Sequence, residues 1–577
     1  MSQRINFVLV LFILFSAVLI YRLFYLQILQ GEFYLALAKG QRTSFQEIKG
    51  DRGKIFFEDK EGNLYPAAIN KDITYVYICP KEIEEKATSV PQNGTSASQV
   101  EKTAEFLSEK LAIEKKEIID LINRDSLFEL IDNNVGEKIA EEIKSQKLKG
   151  VYLGQRKSRF YPFETMASKI LGFVDADSDG NYGIEGYYNE VLRGQEGFSE
   201  EERGMGGKII FFNSESFKTS EAGIDLVSTI DYNIQYQAEK ILGKTIEQTE
   251  SESGLIVVLN PQNGEIKALA NSPNFNPNLY FQEEMKIFQN DVVQKIFEPG
   301  SVFKPFTMAA GLDLGKVKPD TKYTDNGVLK FKGGVIYNYS NRTYGEQTMT
   351  NVLEKSINTG AVFVEQAIGE KNFIDYIKKY GFEELTSVDL VGEVFSKNKN
   401  LETGRDINLA TAAFGQGVEL TPIQLLQGFS ALVNGGTIWK PHIVKKVINQ
   451  NNEEKTIEPE LRKSDVIKKE TSEKLVEMLV SVVENGFGKK ARVNGHYIGG
   501  KTGTAQVPWT ALGIEKAGYS DKTVQSFIGF FPAYKPQFLI MVKLDNPNTK
   551  TAEYSAIPAF HELAEYIINY YQIAPEY

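Results

Sequence analysis

The chain opens on an apolar run that nothing later in it matches in length. From Ile5 to Ile20, "INFVLVLFILFSAVLI", only Asn6 and Ser16 are polar, and the apolar character continues through "YRLFYLQIL" to Leu29, broken by Arg22 and Gln27. As a helix, residues 5–29 are long enough to cross about 30 Å of hydrocarbon. A cleaved secretory leader is the competing reading, but its apolar core is shorter and ends in a small-x-small site. This run ends in Tyr21, Arg22, Leu23, Phe24 and Tyr25, residues suited to a bilayer interface. The pattern predicts an uncleaved anchor over 5–29 with a cytoplasmic head at 1–4, and the remaining chain outside the membrane. Arg4 and Arg22 are too few to fix the orientation by the positive-inside rule.

Beyond the anchor the pattern changes several times. "GDRGKIFFEDKEGNLYPAAI" (50–69) predicts two short strands, with Gly53 and Gly62 supplying turn chemistry. Residues 88–99 are a polar loop. From Val100 to about Leu148 the spacing is that of charged amphipathic helices with a solvated face. "DADSDGNYG" places Asp175, Asp177, Asp179 and Gly180 like the start of a calcium loop. Its closing position falls on Gly186, so an ordinary loop is expected. A boundary follows near residue 222. From 223 to 577 there is enough chain for one large α/β domain. There, "GLIVVLN" and "EIKALAN" flank Pro-Gln-Asn-Gly as a hairpin, and a helix opens near Asp231. "TVQSFIGFFP" and "FLIMVKLDN" read as strands, and "AFHELAEYIINYY" as a helix of 3.6 period. With the glycine-flanked stretch "GGKTGTAQV", these predict a sheet covered by helices on both faces.

Composition narrows the function classes. The chain has 577 residues, 42% hydrophobic and 24% charged, the profile of a folded protein with several domains. Its net charge of −11 gives no support to a nucleic-acid partner. Cys79 is the single cysteine, so no internal disulfide can form. His442, His496 and His561 are far apart, and no HExxH-type spacing is present, so neither a metal nor a cofactor is expected.

The candidate chemistry lies in three short segments. In "FEPGSVFKPFT", Pro299-Gly300 breaks the preceding element and allows a helix to start at Ser301, with Pro305 in its first turn. A serine there has the positive end of the helix dipole beneath it, and Lys304 lies one turn on, within reach of its hydroxyl. For Lys304 to act as a base its pKa must fall far below about 10.4, through burial or a second cation. In "NVLEKSINTGAVFV", Ser356 and Asn358 stand at the end of a helical run. In "GGKTGTAQV", Lys501, Thr502, Gly503 and Thr504 lie on a strand whose glycines would let a substrate backbone approach. Each match is cheap: Ser396 and Lys399 repeat the first spacing, while Ser272/Asn274 and Ser396/Asn398 repeat the second. The ordered set is the signal.

That set resembles the penicillin-binding proteins, specifically the class B monofunctional transpeptidases. "GDRGKIFFEDKEG", "GIEGYYNEVLRGQEG", "VSTIDYNIQ" and "AAFGQGVELTPIQL" are similar to further family segments, so the resemblance spans the chain apart from about 71–150. It implies a penicillin-binding/β-lactamase-like transpeptidase domain at 223–577, with an antiparallel sheet flanked by helices. An α+β dimerisation or pedestal module at 30–222 and the transmembrane helix would precede it. It also implies the D,D-transpeptidase reaction on the D-Ala-D-Ala end of peptidoglycan stem peptides. Ser301 would be the nucleophile and Lys304 its base, with the backbone N–H groups of Ser301 and Thr504 as the oxyanion hole. Ser356 would relay a proton, Asn358 would position Lys304 and the substrate amide, and Lys501 with Thr502 and Thr504 would bind the terminal carboxylate, Gly503 lying between them. β-Lactams would trap Ser301, and glycan-polymerase and divisome membrane proteins would be partners.

"EPGS" and the Ser-x-Asn form lean toward the cell-division branch rather than the elongation branch. No second catalytic pattern is visible before residue 230, which argues against a bifunctional enzyme. A D,D-carboxypeptidase or β-lactamase-like hydrolase on the same fold shares this chemistry and stays open. So does a non-catalytic scaffold or sensor.

Overall fold

The computed structural model describes residues 2–30, 43–48, 50–83, 99–195, 197–203, 209–212 and 220–577. The chain divides into two compact units, Met1–Gly53 with Glu190–Ile224, and Lys54–Asn189 with Asp225–Tyr577.

The first unit contains helix α1 (Ser2–Phe24), which runs on as a π-helical turn over Tyr25–Leu29. Its stretch Asn6–Ile28 has a mean hydropathy of 2.6 and is long and apolar enough to cross a membrane. Apolar side chains face outward all round it, Phe7 and Phe12 among them, as expected of a helix whose solvent is lipid. The unit also holds an antiparallel sheet in which Gly197–Arg203 pairs with both Thr43–Ile48 and Ile209–Phe212. Gly53 is not a turn residue. Its N–H donates to the Leu192 carbonyl at 2.7 Å, and a Cβ there would lie 2.0 Å from the Ile224 carbonyl oxygen. It permits close backbone approach instead.

In the second unit, β1 (Ile55–Glu58) and β2 (Leu64–Ile78) form the expected hairpin, with Gly62 at φ +88° in the turn. The second strand is long, 15 residues. Helices α2 (Gln99–Leu111), α3 (Lys115–Ile122) and α4 (Glu137–Gln146) fall inside the stretch expected to be helical, but β3 (Glu129–Val135) interrupts it. The partner strand β2 decides this. It pairs with β3 on one flank and with β4 (Val151–Phe160) on the other, and a lone charged segment carries no trace of that partner. Val76, Ile78, Ala104, Leu107, Ile118 and Ile143 form the core beneath. The polar loop expected at 88–99 lies outside the described residues except for Gln99, which opens α2. Asp175, from the calcium-like stretch, turns its Oδ1 onto the N–H groups of Asp177 and Asp179 at 3.0 Å each, within a small hairpin turn.

The larger part of this unit begins with β5 (Asp225–Asp231) and α5 (Tyr232–Thr249). Asp231 caps the helix, accepting from Asn233 N and Ile234 N. Then come β6 (Ser253–Leu259) and β7 (Ile266–Ser272), α6 (Lys304–Asp313), α7 (Met349–Glu354), α8 (Asn358–Ile368), α9 (Pro422–Val433) and α10 (Lys469–Glu484). Strands β8 (Gly499–Pro508), β9 (Tyr519–Phe531) and β10 (Phe538–Asp545) and helix α11 (Ala556–Tyr571) close it. The sheet is antiparallel throughout, in the order β7-β6-β10-β9-β8, so β8 is an edge strand.

The period of two along β9 sends alternate side chains to opposite faces. Phe527 and Phe531 meet Phe560 of α11, while Phe530 meets Phe429 of α9. Helix α9 is buried at every position, consistent with its apolar composition all round.

Glycines on the edge strand have a different cause from the one the sequence suggests. A Cβ at Gly499 would lie 2.1 Å from the Phe530 ring, and one at Gly500 2.5 Å from the Phe527 ring. At Gly503 it would fall 2.5 Å from Ser526 Oγ, 3.0 Å from Val302 Cγ1 and 3.2 Å from the Pro299 carbonyl oxygen. The missing side chains make room for the protein itself, seating β8 against the turn that carries Ser301. Gly503→Ala is therefore expected to cost about 1–3 kcal/mol of stability. Thermal unfolding would show this as a lower Tm, with a parallel loss of reactivity at Ser301.

Candidate active site

The turn before α6 is fixed from both sides. Phe297 and Leu420 exchange backbone hydrogen bonds at 2.9 and 3.0 Å, and Gly300 N–H donates to the Gly415 carbonyl at 2.9 Å. Gly300 has φ +60°, and a Cβ on it would sit 2.8 Å from Ala505 Cβ of the edge strand. A Cβ on Gly415 would meet the Gly300 carbonyl oxygen at 2.2 Å. The "PG" before Ser301 and the "FGQG" at 414–417 are thus two halves of one close backbone contact. Ser301 itself lies in a 3₁₀ turn, Gly300–Phe303, and the α-helix starts at Lys304, with Pro305 in its first turn. The helix begins three residues later than expected, yet Ser301 and Lys304 still share a face.

Six of the predicted side chains meet here. Lys304 Nζ lies 3.0 Å from Ser301 Oγ, 3.1 Å from Ser356 Oγ, 2.6 Å from the Ser356 carbonyl oxygen and 2.8 Å from Asn358 Oδ1. Lys501 Nζ lies 2.9 Å from Ser356 Oγ, 3.0 Å from the Thr502 carbonyl oxygen and 3.3 Å from Thr502 Oγ1. Ser356 Oγ therefore bridges the two amines. Ser356 sits between α7 and α8 with φ +52°, a left-handed conformation costing a non-glycine residue about 1–2 kcal/mol. That conformation accompanies a serine whose carbonyl and hydroxyl both face Lys304. Asn358 is held by its other end, its Nδ2 donating to the Tyr337 carbonyl at 2.9 Å, which leaves Oδ1 toward the lysine. Gly503 and the half-buried Thr504 lie on β8 beside this turn.

The electrostatics favour an uncharged Lys304. Its side chain is 1% exposed, and burial first, then the nearby Lys501 cation, holds its pKa well below the usual lysine range. Burial alone lowers Lys501 to about 7. Among the described residues neither lysine forms an ion pair. An ammonium has three hydrogens for the four oxygens around Lys304. A neutral amine donates two and turns a lone pair to a hydroxyl, an arrangement able to take a proton from Ser301. A cation at Lys501, beside Thr502 Oγ1 and the edge strand, can attract a carboxylate. Among the described residues no group of three or more His, Cys, Asp or Glu could hold a metal.

The decoy motifs lead elsewhere. Ser396 Oγ donates to Glu419 at 3.0 Å, and Asn274 Nδ2 donates to the Thr165 carbonyl at 3.4 Å. Two features of the site had no motif to reveal them. One is the carbonyl of Tyr337. The other is Glu298, directly before Pro299, whose carboxyl is raised to about 7 by burial and accepts from Tyr519 O–H at 3.0 Å. A Glu followed by Pro-Gly-Ser was visible in the sequence, but the tyrosine that meets it lies 221 residues away.

Comparison with known proteins identifies the family. Residues 254–565 match the penicillin binding protein transpeptidase domain, and residues 47–228 match the penicillin-binding protein dimerisation domain. Stage V sporulation protein D of Bacillus subtilis (strain 168) is 32% identical over 554 residues, covering 94% of this chain and 82% of that protein. The peptidoglycan D,D-transpeptidase FtsI of Escherichia coli (strain K12) is 27% identical over 570 residues, covering 97% and 90%. Among solved structures, penicillin binding protein 2X of Streptococcus thermophilus superposes with a TM-score of 0.70 at 24% identity, over 91% of this chain and 80% of that one. With both domain matches in the family's order along a mixed α/β chain, this protein belongs to the class B penicillin-binding proteins and is a serine-type peptidoglycan D,D-transpeptidase.

Proposed function

We propose that this chain is anchored in the cell membrane by α1 and cross-links peptidoglycan stem peptides during septal wall synthesis, with its transpeptidase domain outside the cytoplasm. The observation that carries the chemistry is a buried lysine amine, 3.0 Å from a serine hydroxyl and next to a second buried lysine. In this reading Ser301 attacks the carbonyl of the penultimate D-Ala while Lys304 takes its proton. The N–H groups of Ser301 and Thr504 hold the tetrahedral oxyanion, each such donor contributing about 3 kcal/mol. Lys501, Thr502 and Thr504 bind the terminal carboxylate, and Gly503 keeps the edge strand close. Ser356, within reach of both lysines, passes a proton to the departing D-Ala amine, and Asn358 holds Lys304 in line. An amine from a neighbouring stem then resolves the acyl-enzyme. β-Lactams present the same carbonyl and carboxylate and acylate Ser301.

The domain division follows the same reading: a head at 1–4, an anchor at 5–29, a dimerisation module at 30–222 and a transpeptidase domain at 223–577. The division role is favoured by the "EPGS" and Ser-x-Asn forms at 298–301 and 356–358, and by relatives bearing the FtsI name. Glycan-polymerase and divisome membrane proteins are the partners that this role requires.

Incubation with a fluorescent penicillin should give a covalent adduct that Ser301→Ala abolishes and Lys304→Met slows by about 10²–10⁴-fold. No adduct would favour a scaffold, and rapid release of hydrolysed penicillin would favour a hydrolase. Deleting residues 1–29 should move the protein from the membrane fraction to the soluble one.

The two lysines also set the pH dependence. Lys304 must be unprotonated, and burial with the nearby Lys501 holds its pKa well below the usual lysine range, which favours that state. Lys501 must be protonated, and the free protein loses that proton above about 7. Acylation kcat/KM should therefore be bell-shaped, with an alkaline limb near neutrality. A bound carboxylate favours the Lys501 cation, so the kcat limb should lie at higher pH than the kcat/KM limb. Stopped-flow acylation across pH 4–10 would measure both limbs, and a flat alkaline side would contradict the assigned role of Lys501.

A further inference from the structure

The orientation of Asn358 decides what Lys304 can do, because its Oδ1 is one of the four oxygens around Nζ. A carboxamide is nearly symmetric in shape, and packing alone does not distinguish its oxygen from its nitrogen. The bond from Asn358 Nδ2 to the Tyr337 carbonyl makes that distinction. Tyr337 ends the short strand Gly334–Tyr337 of a hairpin with Val328–Phe331, and its side chain is exposed. Something else must hold its carbonyl in place.

That something is one residue further on. Asn338 is buried, and its Nδ2 donates to both oxygens of Asp325, at 3.0 and 2.9 Å, and lies 3.1 Å from the Arg342 carbonyl. Its Oδ1 accepts the N–H of Thr359 at 3.1 Å, in the first turn of α8, directly after Asn358. Thr359 O–H in turn donates to Asp325 Oδ1 at 2.6 Å. Asp325, 1% exposed, also accepts the N–H groups of Gly327 at 2.9 Å and Tyr344 at 2.8 Å. One buried carboxylate thus gathers four donor groups. They come from its own turn, from both sides of the Asn338–Tyr344 loop and from the start of the helix that bears Asn358.

We propose that Asp325 is a positioning residue for the transpeptidase base: through Asn338 and Thr359 it fixes the Tyr337 carbonyl and the start of α8, and so keeps Asn358 Oδ1 on Lys304. This rests on the reading of Ser301 and Lys304 given above. The carboxylate cannot be replaced by an amide without conflict. In Asp325→Asn the new NH₂ faces Gly327 N–H and Thr359 if it takes the Oδ1 place, or Asn338 Nδ2 and Tyr344 N–H if it takes the Oδ2 place. Either way donor meets donor. With the loop released, the Asn358 amide is free to turn its NH₂ to Lys304. That removes an acceptor from the ammonium and offers a donor to the amine lone pair. The neutral amine is then favoured, and the Asn358 NH₂ competes with the Ser301 hydroxyl for its lone pair.

The charged group facing Lys304 is Lys501. Near Asp325 the titratable neighbours are Tyr323, whose hydroxyl lies 3.5 Å from Thr359 Oγ1 and is kept neutral by burial, and Tyr344, whose backbone N–H the carboxylate accepts.

The test is acylation of the full-length protein by a fluorescent penicillin across pH, with thermal unfolding alongside. Asp325→Asn should lower the plateau acylation rate about ten- to hundredfold, as expected for a misplaced catalytic group, and move the acid limb to lower pH. Non-covalent affinity for the penicillin should stay within a few-fold of the parent. Thr359→Val, which keeps the carboxylate and the shape, should give a smaller change in the same direction, and it serves as the readout if Asp325→Asn does not fold. Asp389→Asn is the control. That buried carboxylate accepts Ile443 N–H, Val444 N–H and Tyr188 O–H at 2.7–3.0 Å, away from the lysines, so it should lower Tm and leave the pH midpoint in place. An unchanged plateau and midpoint in folded Asp325→Asn, an unchanged Thr359→Val, or an equal midpoint shift in Asp389→Asn would overturn the inference. A parent protein that takes no penicillin would instead overturn the underlying reading of Ser301.

Discussion

Two lysine side chains share one buried cleft with no ion-pairing carboxylate among the described residues. Burying an ammonium without a counterion is costly, and the group responds by releasing its proton. Lys304 and Lys501 are each driven toward neutrality by burial, and a proton left on one discourages a proton on the other. A carboxylate within the cleft would undo this, holding both lysines charged and leaving no amine lone pair beside the Ser301 hydroxyl. The oxygens that surround the two amines are instead uncharged: hydroxyls, backbone carbonyls and one carboxamide. They satisfy the hydrogen bonds without restoring the lost charge.

Much of the surrounding architecture serves to bring these groups together and keep them dry. The edge strand approaches the Ser301 turn closely enough that Gly300 and Gly503 have no room for a methyl group. Phe303 and Phe306 anchor the first turns of α6 against Phe382, and Phe306 also meets Phe429 of α9. Ser356 is held in the left-handed region at the break between two helices, presenting two oxygens to one amine. Strain of this kind persists only where the neighbours over-determine the conformation, and here the hydrogen-bonded loop at Asp325, Asn338 and Thr359 lies directly beside it.

The two amines share one hydroxyl neighbour and differ in the rest. Lys304 Nζ lies 3.0 Å from Ser301 Oγ. Lys501, itself on the edge strand, sets its Nζ 3.3 Å from Thr502 Oγ1. Ser356 Oγ, 3.1 Å from one and 2.9 Å from the other, is the one side chain among the described residues that hydrogen-bonds both amines. A tertiary arrangement that moved the edge strand by one residue would turn Lys501 to the opposite face, since side chains alternate along a strand.

The sequence by itself determined the length of the apolar N-terminal helix, the hairpins, the closing helix and which side chains were candidates for the site, because each is written in local signals: an unbroken apolar run, a period of two or 3.6, a turn dipeptide, a short ordered motif. It also carried decoys of equal local quality, Ser396 with Lys399 and Ser272 with Asn274, which only their order and surroundings could discount. The strand at Glu129–Val135 was not legible, because its conformation is dictated by a partner more than fifty residues earlier. The reason for the glycines of the edge strand was misread, because the atoms that exclude a side chain there belong to residues distant in the chain. Tyr337, Asp325 and Asn338 were silent for the same reason: a hydrogen bond to a backbone carbonyl, or a buried carboxylate that collects N–H groups, leaves no mark in sequence. Only the tertiary structure decided which lysine is dry, which oxygens surround it and what holds them there, because desolvation is a property of the packed neighbourhood and not of the residue.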